Sequence, residues 1–175
     1  MSEVAPATLP WMEGEEGWTL LRSPFWMSEH RQFLSGDGDP DRVQIRYYRR
    51  DRDQALMARV WVGPHAEGPP GHVHGGCLAA ILDECMGLSA WITSRPCLAG
   101  RITVEFRRPV PLECAYTVEA FVEGEDGRKL STRARFIDAA GQDLAVSEGT
   151  FIRMSLDRLA ELAPGRGDWS DQSSD

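Results

Sequence analysis

Apolar and polar positions alternate along most of this chain, and the alternation gives way once, near the middle, to helical spacing. Val43 to Arg49 alternates, and Leu56 to Val62 is rich in β-branched and aromatic residues, with Arg50-Asp51-Arg52-Asp53 as the turn between them. From Leu98 to Arg107, Ile102, Val104 and Phe106 share one face of a long strand, which Pro109 and Pro111 end or place at an edge. Ala115 to Glu123 is a further strand, turned by Glu125-Asp126-Gly127-Arg128 into Lys129 to Ile137. Ala139-Ala140-Gly141 then leads into Asp143 to Met154, and a short helix starts at Leu156. Between the second and third strands, Leu78, Ile81, Leu82, Cys85, Met86, Ser89 and Ile92 recur at the spacing of a helix face. This helix ends between Thr93 and Pro96. Two strands, one long helix and four strands predict an α+β fold, an antiparallel sheet wrapped around one helix.

The helix is entered through Gly68-Pro69-Pro70-Gly71-His72-Val73-His74-Gly75-Gly76. The prolines stiffen this loop and the glycines permit backbone conformations that other residues resist. The first N–H groups of a helix have no intrahelical partner and carry the positive end of its dipole. A Gly-Gly opening leaves them uncovered, so an oxygen bearing partial negative charge can reach them. A second face of the helix carries the short side chains of Ala79, Gly87 and Ala90, and one carboxylate, Asp83. Asp83 lies seven residues beyond Gly76, roughly 10 Å along the axis, whereas reacting groups must approach to about 3–3.5 Å. A second, antiparallel copy of the helix brings its Asp83 beside the first copy's Gly75 and Gly76, and one two-fold axis then creates two equivalent sites.

His74-Gly75-Gly76, an acid nine positions after the histidine, and the later Arg108-Pro109-Val110-Pro111-Leu112 resemble the hotdog-fold acyl-CoA thioesterases. The PaaI-like branch is nearest, and within it the carboxyl-terminal-modulator-like thioesterases. The similarity runs from about Glu67 to Met154. It implies a hotdog fold whose dimers join sheets edge to edge and pack helices side by side, with dimers able to pair again into tetramers. It implies that an acyl-CoA or acyl-carrier-protein thioester, an intermediate class of lipid metabolism, is hydrolysed without metal or redox cofactor. Asp83 is then the nucleophile or the general base, and the sequence does not choose between them. The residue aligned with Gly75 donates its amide to the oxyanion, Gly76 is a second donor, and His74 orients the loop rather than touching the thioester.

Two positions depart from the family pattern. Some relatives carry an asparagine near Gly68, and His72 or His65 is the substitute available here. Relatives place a serine or threonine hydroxyl at Ala99, for which Ser94 and Thr103 stand at the wrong offset. The coenzyme A phosphates need cations, and Arg101, Arg107 and Arg108, with Arg128 and Lys129 at a hairpin tip, form the expected basic patch. Met86, Trp91, Phe106 and Trp61 are the candidate linings of an acyl tunnel. A second reading keeps the fold without catalysis, as a module that binds acyl-CoA as a sensor or protein partner. A hotdog dehydratase, which pairs its histidine and acid differently, fits poorly.

The rest of the composition narrows the class. A chain of 175 residues with 42% hydrophobic content suits one core domain, assigned to residues 41–162, with an arm at 1–40 and a disordered tail at 163–175. The arm holds Trp11 and Trp18, read as docking residues, and a short helix over Ser23–Leu34 capped by Ser23 with Pro24 in the first turn. A net charge of −8 argues against nucleic acid and anionic membranes as partners. No apolar run reaches the ~20 residues of a membrane span, and the acidic N-terminus resembles neither a secretory signal nor a presequence, so the expected location is cytoplasmic. The four cysteines show no Cys-x-x-Cys spacing and read as reduced thiols. His72, His74 and Cys77 lack a fourth metal ligand at a usual spacing, and the Asp37–Asp39 turn lacks a full calcium loop.

Overall fold

The computed structural model describes residues 10–21, 33–34 and 39–162. The helix expected within Ser23–Leu34, the start of the Gly36–Pro40 turn and the expected tail lie outside these residues, apart from Phe33, Leu34, Asp39 and Pro40. The described chain forms strands β1 (Trp18–Leu20), β2 (Val43–Arg50) and β3 (Leu56–Val62), helix α1 (Gly75–Trp91), strands β4 (Cys97–Phe106), β5 (Cys114–Asp126), β6 (Lys129–Ile137) and β7 (Asp143–Arg153), and helix α2 (Leu156–Leu162). All neighbours pair antiparallel in one seven-stranded sheet of order β1-β2-β3-β5-β6-β7-β4. The hotdog reading therefore holds: β4 follows the helix in sequence but crosses to the far edge of the sheet, so the strands curl around α1.

Period-two alternation sorts the sheet into two faces. Ala58, Val60, Val118, Ala120, Leu130, Ala134, Phe136 and Ala145 point to the helix and are buried. The opposite face is charged, with Glu119 held by Arg50 at 2.6 Å and by Arg135 at 3.1 Å, and Asp143 held by Arg135 at 2.8 Å. Helix α1 buries Leu78, Ile81, Leu82, Cys85, Met86, Leu88, Ser89 and Ala90. That is more of its circumference than an ordinary amphipathic surface helix offers to one sheet. It packs closely on the strands at Gly149, where a Cβ would stand 3.2 Å from Met86 Sδ of the helix.

Sequence pattern and structure differ at two places. β5 is longer at both ends than the alternation suggests and meets β6 in a two-residue turn, Gly127-Arg128, with Gly127 at φ +57°. The segment before residue 22 contributes a strand, β1, paired with Tyr48–Arg50. Trp18 on that strand packs against Tyr48, ring centroids 5.8 Å apart, and under the Arg59 guanidinium at 5.0 Å. Three residues are too few for a period to show.

Candidate active site

The loop before α1 is held by the segment that follows β4. The Val73 N–H donates to Val110 O at 2.8 Å and Leu112 N–H to Gly71 O at 3.1 Å, while His72 bridges to Pro111. Gly71 takes the left-handed φ of +73° and its N–H donates to Glu67 Oε1 at 2.7 Å. This is why the glycine- and proline-rich stretch and the later Arg-Pro-Val-Pro-Leu stretch matter together: each supplies the other's hydrogen-bond partners. Gly68 is there for space, since a Cβ would lie 2.7 Å from His74 Cα. An asparagine at Gly68 is excluded by this backbone.

His74 is the N-cap of α1, and its Nδ1 accepts the Gly76 N–H at 2.9 Å. The imidazole therefore carries its proton on Nε2 when neutral. Capping corrects one sequence expectation: the Gly76 amide is engaged by its own loop and is not a free oxyanion donor. The Gly75 N–H has no partner among the described residues. The ring tip of Phe106, 53% exposed, stands 3.4 Å from where a Gly75 Cβ would be. The helix start is thus one open donor beside one aromatic ring.

Asp83 lies two turns further along α1. It is half-buried, its Oδ1 is enclosed and without a hydrogen bond, and burial raises its pKa above the ordinary 3.8. Ala79 and Gly87, one turn to either side, are also half-buried, leaving a narrow lane of short side chains along the helix. The Cys97 thiol is pushed up to about 12 by its burial and by the Asp83 charge. Within one chain, Gly75 and Asp83 are separated by about 12 Å of helix axis.

The remaining predicted site residues divide. His72 Nδ1–H donates to Pro70 O at 2.9 Å and so ties the loop to itself; His65 faces Asp39 at 3.0 Å. Met86 is wholly buried against the sheet, and Trp61 shares the sheet face that carries Arg59, away from the helix. Arg101, Arg108, Arg128 and Lys129 are exposed and make no ion pair among the described residues, whereas Arg107 is held by Asp143 at 3.0 Å and Glu105 at 3.3 Å. Nor is the basic patch local in one chain. Lys129 is level with Ile152 and Leu98, at one end of β4, while Arg107 and Arg108 follow Phe106 at the other, roughly 25 Å away. Ala99 faces the helix side opposite Phe151, with no hydroxyl there. Sequence reasoning missed the Tyr47 hydroxyl, which bonds Glu84 beside Asp83; the adjacent acids in an apolar run were the available signal. The side-chain donors of Asp39, Asp41 and His65 lie within 4.8 Å of one another on the surface, with Asp39 engaged by His65 and Arg42. No helix among the described residues is long and apolar enough to cross a membrane.

Residues 70–145 match the family model described as the thioesterase superfamily. The acyl-coenzyme A thioesterase THEM4 of Xenopus laevis is 27% identical over 161 residues, covering 83% of this chain and 72% of that protein. The bovine protein of the same name is matched over 54% of its length, so the chain spans little more than half of it. Among solved structures, a thioesterase superfamily protein superposes with a TM-score of 0.59 at 28% identity, over 62% of this chain and 53% of that one. The Escherichia coli PaaI protein gives 0.57 at 17% identity, over 65% and 80%. A Streptococcus mutans protein solved bound to acetyl CoA gives 0.61 at 12% identity, over 73% and 95%, and shows the shared fold.

Proposed function

We propose that the chain, whose residues 70–145 match the thioesterase superfamily model, is a thioester hydrolase acting on acyl-coenzyme A. The observation that carries the reading is Asp83: a carboxylate with an enclosed, unbonded oxygen and a raised pKa, on a lane of small side chains along a helix. Such a group is costly to keep unless it is used. It is out of reach of the helix start of its own chain, so the site is composed from two copies. The thioester carbonyl oxygen accepts the Gly75 N–H of one protomer, and the partner's Asp83 acts on the carbonyl carbon or on a water beside it. As nucleophile, Asp83 forms an acyl anhydride, expels the thiolate, and is restored by water. As general base, it takes a proton from the attacking water. Either route consumes one water and yields a carboxylic acid and a thiol, and neither requires a metal or redox group.

His74 holds the donor loop in register, and the exposed arginines and Lys129 are the cations open to coenzyme A phosphates. The absent hydroxyl at Ala99 favours a second reading, an acyl-CoA-binding module without turnover. Free-thiol release from a panel of acyl-CoAs, for the parent and Asp83→Ala, separates them. Turnover by the parent with loss of about a hundredfold or more in the variant supports hydrolysis, a loss equivalent to roughly 2.7 kcal/mol. Tight binding with no release by the parent supports the module. A single turnover in ¹⁸O-water then tells nucleophile from base, since only the nucleophile retains the label.

A further inference from the structure

A strap, residues 107–113, joins the end of β4 to the start of β5 and is fixed at both ends by backbone hydrogen bonds. The Arg107 and Arg108 N–H groups share Leu144 O at 2.9 and 3.1 Å, and the Glu113 N–H donates to Val62 O at 2.7 Å. Between these anchors the strap makes the two bonds that hold the loop before α1, Val73 N–H to Val110 O and Leu112 N–H to Gly71 O. Pro111 stands at the centre of this bridge, opposite His72. It has no N–H to give, and its carbonyl takes no part in the bridge. That carbonyl accepts the Tyr116 hydroxyl at 2.6 Å. We propose that Tyr116 is a positioning residue, whose hydroxyl sets the strap and, through it, the Gly75 N–H; the role rests on Gly75 as the donor of the proposed function.

The tyrosine is built as a rigid post. It pairs with Val60 on the helix side of β5, is 5% exposed, and packs on the Phe136 ring with centroids 4.9 Å apart. A ring so enclosed has little freedom, and the oxygen at its tip is held within reach of one acceptor. Burial pushes the phenol above its ordinary 10, and the Cys114 thiol beside it adds to the rise, so the group keeps its proton and remains a donor near neutral pH. Pro111 O has no second partner among the described residues. The path to the Gly75 amide is short. Val73 is bonded at Val110, next to Pro111, and Gly75 follows Val73 by two residues, at most about 7 Å of chain. His74 between them is fixed twice, its N–H on Ala66 O at 2.8 Å and its Nδ1 on the Gly76 N–H. Movement of the strap is therefore passed to the helix start, where a misplacement of about 1 Å can cost a hundredfold in rate. Tyr116 acts through this backbone and not on the thioester.

Tyr116→Phe removes the hydroxyl and keeps the ring, and Tyr48→Phe is its matched control. Tyr48 is equally buried and its hydroxyl also donates to a backbone carbonyl, that of Met12, but on the opposite face of the sheet. Residue-resolved hydrogen exchange by NMR needs no turnover. In Tyr116→Phe, exchange at Val73 and Leu112 is expected to rise about tenfold and the Gly75 cross-peak to move, whereas Tyr48→Phe leaves all three as in the parent. In thiol release from acyl-CoA, Tyr116→Phe is expected to lose about tenfold in kcat at an unchanged KM, and Tyr48→Phe to keep the parental kcat. Unchanged exchange in Tyr116→Phe overturns the proposal. So does equal acceleration in the two variants, which assigns Tyr116 to stability alone, and so does faster exchange with parental kcat. A parent that releases no thiol removes the hydrolase reading and leaves the exchange comparison to decide the role of Tyr116, so the two failures are distinguishable.

Discussion

His74 Nδ1 accepts the N–H of Gly76 at 2.9 Å, and this one bond decides which glycine faces the substrate. It caps α1, fixes the imidazole tautomer and consumes the second amide of the helix, leaving that of Gly75 open. The histidine acts through the backbone it holds.

Replacing this cap separates the two roles. His74→Ala is expected to lose about 1 kcal/mol of stability, the usual cost of an N-cap, along with much of kcat. His74→Asn, which also caps, is expected to recover the melting temperature and most of the turnover. Thermal unfolding and thiol release on the three proteins check this; an asparagine variant as stable as the parent but as slow as His74→Ala assigns the imidazole a direct part in the chemistry.

Asp83→Asn is expected to be inactive yet no less stable than the parent at neutral pH. The sign follows from linkage. The unfolded chain loses the Asp83 proton near 3.8, and the native state, where burial disfavours the charge, holds it to higher pH. Below 3.8 both states are protonated and the side chain costs nothing. As pH rises through the window above 3.8, native stability falls, and the deficit persists to neutrality. Urea midpoints of parent and variant, compared in acid and at neutral pH, are expected to diverge in the variant's favour as pH rises.

Gly68→Ala tests the close approach of the loop to the helix cap. Its Cβ would lie 2.7 Å from His74 Cα, a backbone atom that cannot rotate away. A loss of roughly 1–3 kcal/mol is expected, as for other overpacked sites. Gly124→Ala, with open space around it, is the control and is expected to unfold within about 0.5 kcal/mol of the parent in the same urea titration.

The thiols give a readout of the native core. Burial pushes Cys77 up to about 11 and Cys97 up to about 12 and raises the fully buried Cys85 as well, while Cys114 is exposed. Thiolates are the reactive form. Brief alkylation near neutral pH, followed by peptide mass spectrometry, is expected to label Cys114 in the native protein and all four cysteines after denaturation.

Much of this architecture was legible in the residues because it depends on period and punctuation. The alternation at Val43–Arg49 and Lys129–Ile137, the apolar helix after Gly76, and the prolines beyond Arg108 each name their element locally. Asp83 stood out as the one charge among small side chains. What stayed hidden depends on neighbours far along the chain. That Arg107 belongs to Asp143 follows only once the strands are in register, while the engagement of Gly76 and the filling of the space at Gly68 by His74 follow only once the loop's backbone is fixed. The spread of the basic residues over the sheet was hidden for the same reason. Arg107 and Lys129 look adjacent in a list of cations, but Lys129 is level with Leu98 at one end of β4 while Arg107 follows Phe106 at the other.

The central claim is that each site takes its donor from one protomer and its carboxylate from the other, and mixed oligomers test it directly. Asp83→Ala removes the carboxylate. Gly75→Pro removes the open N–H while keeping the fold, since proline is favoured at the first helical position and His74 already has the extended backbone that must precede it. Each variant alone is expected to be inactive in thiol release from acyl-CoA. After the two are unfolded together and refolded, or co-expressed, random pairing is expected to restore about a quarter of parental activity, one intact site in each mixed dimer. A mixture as inactive as its components, with mixed dimers present by mass, would contradict a shared site.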